Sequence, residues 1–143
     1  MIEYQNILDK NMLNVLKDIL INIRDKGLSN NNHLYFTFST NHQNVELPNW
    51  LRQKYPEEMT IVIQYEYYDL EINKNNFSIS LSFNDIKTNL KIDYNSIISF
   101  ADPSANFGLI LQKNKVQKKV NKIVEKKKLN KNNVINFSNY KKN

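Results

Sequence analysis

The last 31 residues set the outer limit of any fold this chain can make. From Lys113 to Asn143 there are 11 lysines and a single acid, Glu125. So few apolar side chains accompany them that burial cannot offset the entropy of ordering the segment. From Met1 to Gln112, 9 Lys and Arg stand against 13 Asp and Glu, so the net charge of +6 averages a mildly acidic body with a strongly basic tail. A charge block of this kind behaves as a solvated interaction segment. The expected organisation is a folded domain over 1–112 and a flexible, disordered tail over 113–143. A unit of ~110 residues buries a core without staples. The chain has no cysteine, which removes disulfides, thiol catalysis, Cys-ligated zinc and iron–sulfur clusters together. No stretch approaches the ~20 apolar residues of a membrane span, and the N-terminus lacks a signal-peptide layout, so a cytoplasmic protein is expected.

Within the body the apolar period changes once. Tyr4, Leu8, Met12, Val15, Leu16, Ile19, Leu20 and Ile23 recur at three- and four-residue steps and predict a helix over 3–26. Gly27 and Leu28 supply its stop signal. Leu13 and Ile21 widen the apolar stripe beyond what one packing partner requires. The helix therefore either covers a sheet edge or offers a second strip to another subunit. From residue 33 to 111 the period is two. Leu34, Phe36 and Phe38 alternate with Tyr35 and Thr37, and Phe77, Ile79, Leu81 and Phe83 alternate with serines. Pro48 opens a short helix, Asn49 to Tyr55, and Pro56 ends it. Asn84-Asp85 reads as a tight hairpin turn. Six or seven short strands with regular turns predict an α+β, mainly β fold, in which the helix precedes a small antiparallel sandwich or open barrel.

Catalysis needs a nucleophile, an acid–base pair or a bound cofactor in rigid geometry, and the sequence offers none. His33 and His42 fall at a strand start and in a loop, without metal-ligand spacing, and the two glycines, Gly27 and Gly108, cannot build a phosphate loop. Glu57-Glu58 reads as a solvated turn before a strand. No enzyme activity and no cofactor are expected. What remains is surface. Tyr65, Tyr67 and Tyr68 cannot all be buried by alternation on one face, so at least one is exposed. Exposed tyrosine beside a sheet edge suits peptide capture.

The runs LPNWLRQKYPEEMTIVIQYEYYDLEI, FSISLSFND and LKIDYNSIISFADPSANFGL, followed at the C-terminus by VINFSNYKK, resemble the SspB family of ClpXP protease adaptors, in particular its alphaproteobacterial branch. The resemblance extends from about Tyr35 to Leu111 and resumes at the tip. It implies a homodimeric body that binds the ssrA degradation tag and a tail that docks on the N-terminal domain of ClpX. On that reading Gln64 faces the tag first, with Tyr65, Tyr67, Tyr68, Phe83, Asn84, Phe100 and Ala101 as walls. Val134, Ile135, Phe137, Tyr140, Lys141 and Lys142 form a docking motif over 134–142, and Leu13, Leu16, Leu20 and Ile23 carry the dimer contact. One departure stands out: Asn84-Asp85 occupies a turn that ends in glycine in many relatives.

Two other readings compete. A small β-barrel RNA-binding module would use Lys126, Lys127 and Lys128 on phosphate, but the acidic body would repel the backbone it should read. A membrane-surface helix over Val116–Leu129 has too thin an apolar face, with no Trp or Phe. Neither a specific nucleic acid nor a membrane is expected as partner.

Overall fold

The computed structural model describes residues 1–29 and 31–111. The expected tail over 113–143, with its docking motif, lies outside the described residues. The chain begins with α1 (Tyr4–Lys26). Arg24 and Lys26 in its last turn face the negative end of the helix dipole. It stops where Gly27 takes φ of 72° and donates its N–H to the Ile23 carbonyl at 2.8 Å. Leu28 then folds back against the core.

Seven strands follow: β1 (Leu34–Ser39), β2 (Glu58–Ile63), β3 (Tyr68–Ile72), β4 (Asn76–Phe83), β5 (Ile86–Asp93), β6 (Ile97–Asp102) and β7 (Phe107–Ile110). A one-turn-and-a-half helix, α2 (Asn49–Lys54), stands between β1 and β2. The strands form two antiparallel sheets, one ordered β2-β1-β6-β7 and the other β3-β4-β5. The sheets do not close on each other, so the architecture is an open sandwich preceded by a helix. Alternation did its work: Leu34, Phe36 and Phe38 of β1 and Phe77, Ile79 and Leu81 of β4 point into one core, which Met59, Ile61, Ile63, Leu90 and Ile92 complete. The ring of Phe36 links the layers, 5.7 Å from Phe77 and 4.9 Å from Phe100.

The helix closes one open side of this sandwich. Leu16, Leu20 and Ile23 are 0, 0 and 3% exposed and belong to the central cluster. This corrects the expected dimer face. Three of its four residues are core residues of a single chain, because the C-terminal half of α1 lies against β3 and the turn Tyr94–Ser96. One phenol hydroxyl and one phenol ring meet it there. Tyr67 donates its hydroxyl to the Ile23 carbonyl at 3.2 Å. Beside the helix Tyr94, 2% exposed, donates to the Asn73 carbonyl at 2.9 Å, and the Lys17 ammonium lies 5.3 Å from its ring centre. Burial pushes the Tyr94 phenol up to about 12.

Elsewhere the loops are tied down by polar groups. Arg52 of α2 donates to the carbonyls of Thr40 and Val45, drawing the loop after β1 over the sandwich. Its neighbour Glu46 exchanges two backbone hydrogen bonds with Lys91, at 2.9 and 3.0 Å, which latches that loop to β5.

Candidate peptide-binding site

The segment Gln64–Tyr67 connects the two sheets, leaving the end of β2 and entering β3. Its chemistry is mostly aromatic and polar. Tyr65 is 58% exposed, and Gln64 is half-buried. Tyr67 turns inward to the helix and is a tie between α1 and β3, not a free wall. At the other side of the junction Tyr68 is exposed, with the Lys87 ammonium 4.5 Å from its ring centre. The same ammonium lies 3.7 Å from an oxygen of Asp69. Both partners are more than half exposed, so this pair orients side chains more than it stabilises the fold.

The β4–β5 hairpin carries Phe83 and Asn84. Phe83 opposes Ile86, and Asn84 and Asp85 take φ of 52° and 64°. A two-residue turn with both central residues left-handed matches the twist of the flanking strands, and short polar side chains tolerate it. The turn that departs from glycine is thus made by asparagine and aspartate. Phe83 is half-buried against the core while Asn84 is exposed.

Phe100 and Ala101 separate. Phe100 is 3% exposed, held between Phe36 and Phe107, so its ring belongs chiefly to the core. Ala101, next in the strand, opposes Tyr35 on one side and Gly108 on the other. Successive strand residues point to opposite faces, so Phe100 and Ala101 cannot line one groove. Tyr68, Phe83 and Asn84 therefore belong to the three-stranded sheet, Ala101 lies on the outer face of the four-stranded sheet, and Gln64 and Tyr65 stand at the junction.

Three features escaped sequence reasoning. A cleft of about 510 Å³ runs between α1 and the four-stranded sheet, lined by Val15, Ile19, Leu34, Phe100 and Phe107 among others. It is assembled from residues up to 92 positions apart in sequence numbering, Val15 to Phe107, and no local pattern marks it. A polar trough of about 770 Å³ lies against the three-stranded sheet, with Glu46, Asp69, Glu71, Asn89 and Lys91 on its walls. The third is the exposed start of α1. Tyr4, Ile7 and Leu8 remain 69, 52 and 48% exposed. The helical period showed a wide stripe; only packing tells which strip goes inside.

His42 accepts from the Asn44 N–H at 3.1 Å, a loop contact. Among the described residues no group of His, Asp and Glu is placed to hold a metal ion, and no helix is long and apolar enough to cross a membrane.

The fold and the junction together describe a small β-rich module with an exposed aromatic and polar segment between its two sheets. The family model of SspB, Stringent starvation protein B, matches residues 7–142. The chain belongs to the SspB family. Membership is consistent with a protease adaptor, since this family comprises adaptors rather than enzymes. No curated protein matches the chain.

Proposed function

We propose that this protein is an adaptor that binds ssrA-type degradation tags and tethers tagged polypeptides to the ClpXP protease. The observation that carries this reading is the extent of the family match, which takes in the folded body and continues through the basic tail to residue 142. The body grips the tag, with Gln64, Tyr65, Tyr68, Phe83 and Asn84 as the contacting residues, Ala101 on the outer sheet face, and Tyr67 and Phe100 supporting from behind. Val134, Ile135, Phe137, Tyr140, Lys141 and Lys142 dock on the N-terminal domain of ClpX. Each contact alone is weak. Joining them makes the second contact intramolecular, at roughly millimolar effective concentration, and raises avidity ~100-fold or more without new contacts. About 22 residues separate Leu111 from Val134, giving a flexible chain a reach of roughly 25 Å. The protein works in the cytoplasm as a homodimer. Its dimer contact uses the exposed strip Ile7, Leu8 and Val15, because Leu16, Leu20 and Ile23 are enclosed in their own protomer and Leu13 packs against the same core.

A labelled ssrA-tag peptide titrated into the purified full chain, at two salt concentrations, tests this. Saturable binding that survives the higher salt is the expected result. Binding that appears only at low salt, and equally with single-stranded RNA, would instead favour a lysine-tail nucleic-acid contact.

A further inference from the structure

The outer face of the three-stranded sheet is polar across its width. In register Glu71 of β3 opposes Ser78 of β4, and Ser78 opposes Lys91 of β5. In the next outward row Ser80 opposes Asn89. Phe77, Ile79, Leu90 and Ile92 point the other way, into the core. Serine and asparagine are short, so the floor of this face is low. Residues 46–48 rise on one side of it, Asp69, Glu71 and Asn73 on the other, and the trough between them holds about 770 Å³.

The trough accepts hydrogen bonds more than it donates them. Asn73 donates an amide N–H to Asn76 at 2.8 Å and Asn89 one to Ser80 at 3.0 Å, and each keeps its amide oxygen as an acceptor. Three carboxylates, Glu46, Asp69 and Glu71, stand against the one ammonium of Lys91. That ammonium lies 3.9 Å from Glu46, whose side chain is 74% exposed. Asp69, beside Lys87, is 64% exposed, and Glu71 forms no ion pair among the described residues. Pairs so open to water leave their carboxylates available to further cations.

The chain itself carries the complement. Residues 113–128 contain eight lysines and one acid, Glu125. An ammonium only donates, so it matches an acceptor-rich face. The segment also starts nearby. Leu111, the last described residue, lines a cleft together with His42. Glu46, on the trough wall, is four residues further along the same loop, at most ~14 Å of extended chain. Lys118 and Lys128 lie 7 and 17 residues beyond Leu111, which gives a coil a reach of roughly 15–25 Å. Length therefore suits the distance. Attachment to the body supplies roughly millimolar local concentration, which gathers contacts that are each weak.

We propose that the outer face of the three-stranded sheet is a docking surface for the chain's own lysine segment, residues 118–128, with ammonium groups seated against Glu46, Asp69 and Glu71 over the serine and asparagine floor. The contact goes beyond the adaptor reading and does not depend on it. Its consequence is control of tether length. With residue 128 held on the body, only the five residues 129–133 separate it from Val134, in place of the whole run from Leu111. Salt, or an anionic surface that competes for the lysines, releases the segment and lengthens the tether.

The chain has no cysteine, so Asn121→Cys gives a single labelling position in the full-length protein. A nitroxide placed there should broaden the amide signals of Ser78 and Asn89 at low salt, at least about twofold more than that of Thr60 on the other sheet. At about 1 M salt, where charges are screened within about 3 Å, the excess should disappear. Glu46→Lys combined with Glu71→Lys should also remove it, without moving amide signals of the core, because both side chains are exposed. Lys126→Glu with Lys127→Glu and Lys128→Glu leaves the body's own residues unaltered and should act alike. Equal broadening of Ser78, Asn89 and Thr60, or an excess that survives salt and both charge reversals, would overturn the proposal. The same excess in a mixture of nitroxide-labelled chains with separate isotope-labelled chains would also overturn it, by giving the face to the tail of a second copy.

Discussion

The two halves of α1 have similar composition and opposite fates. Leu16, Leu20 and Ile23 vanish into the sandwich, whereas Ile7 and Leu8, about two to four turns earlier, stay about half exposed. The difference lies in what each half meets. The C-terminal half crosses the open side of the two sheets and is held by Tyr67 and the turn at Tyr94. Of the N-terminal half, Met12 and Leu13 reach the body, while Tyr4, Ile7 and Leu8 stay exposed. An amphipathic period therefore marks two strips without ranking them. The inward strip makes the fold, and the outward strip stays exposed.

The sharpest way to break this comparison is Leu20→Ala. A fully buried leucine replaced by alanine loses transfer energy and leaves a cavity, so unfolding by denaturant should show a loss of about 2–5 kcal/mol. A loss no greater than that of a surface change would mean that the helix is not anchored there. Next comes the alkaline limb of stability. The Tyr94 phenol holds its proton to about 12 in the folded chain, whereas an unfolded tyrosine gives it up near its ordinary value of about 10. Its contribution is fully present below pH ~10 and is lost as pH rises through about 12, a fall of roughly 2–3 kcal/mol. Comparing pH-dependent melts of the natural chain with Tyr94→Phe isolates it, and identical slopes would contradict the assignment. Tyr67→Phe removes the hydroxyl tie to Ile23 and should cost about 1 kcal/mol. At the other end, Leu8→Asp should change stability by no more than about 0.5 kcal/mol. Its effect should appear instead in sedimentation, as a shift from dimer to monomer. A marked loss of stability with mass unchanged would place Leu8 in its own core.

Much of the architecture was legible because backbone period is local. Phe77, Ile79, Leu81 and Phe83 announce a half-buried strand from seven residues alone, and Asn84-Asp85 announces its turn. The helix boundaries follow from the apolar repeat and Gly27. Pairing across layers was not legible. That Phe100 packs on Phe36 while Ala101 faces outward depends on the β1–β6 register, which shifts between Thr37 and Phe38. The tyrosine cluster shows both sides of this limit. Alternation required an exposed ring, and Tyr65 and Tyr68 are exposed. That Tyr67 binds the helix needed the third dimension, because its partner Ile23 lies 44 residues away. The open edge of β2 is likewise invisible locally, since an edge is defined by the neighbour a strand lacks.

The central claim is that one molecule joins a tag-binding body to a ClpX-docking tail. Its most direct test is the rate at which ClpXP degrades an ssrA-tagged protein held below saturation, with either the full chain or a chain ending at Asn133. The full chain should accelerate degradation, and the shortened chain should bind tag equally well yet give no acceleration. Equal acceleration by both, or none by either, would contradict the account.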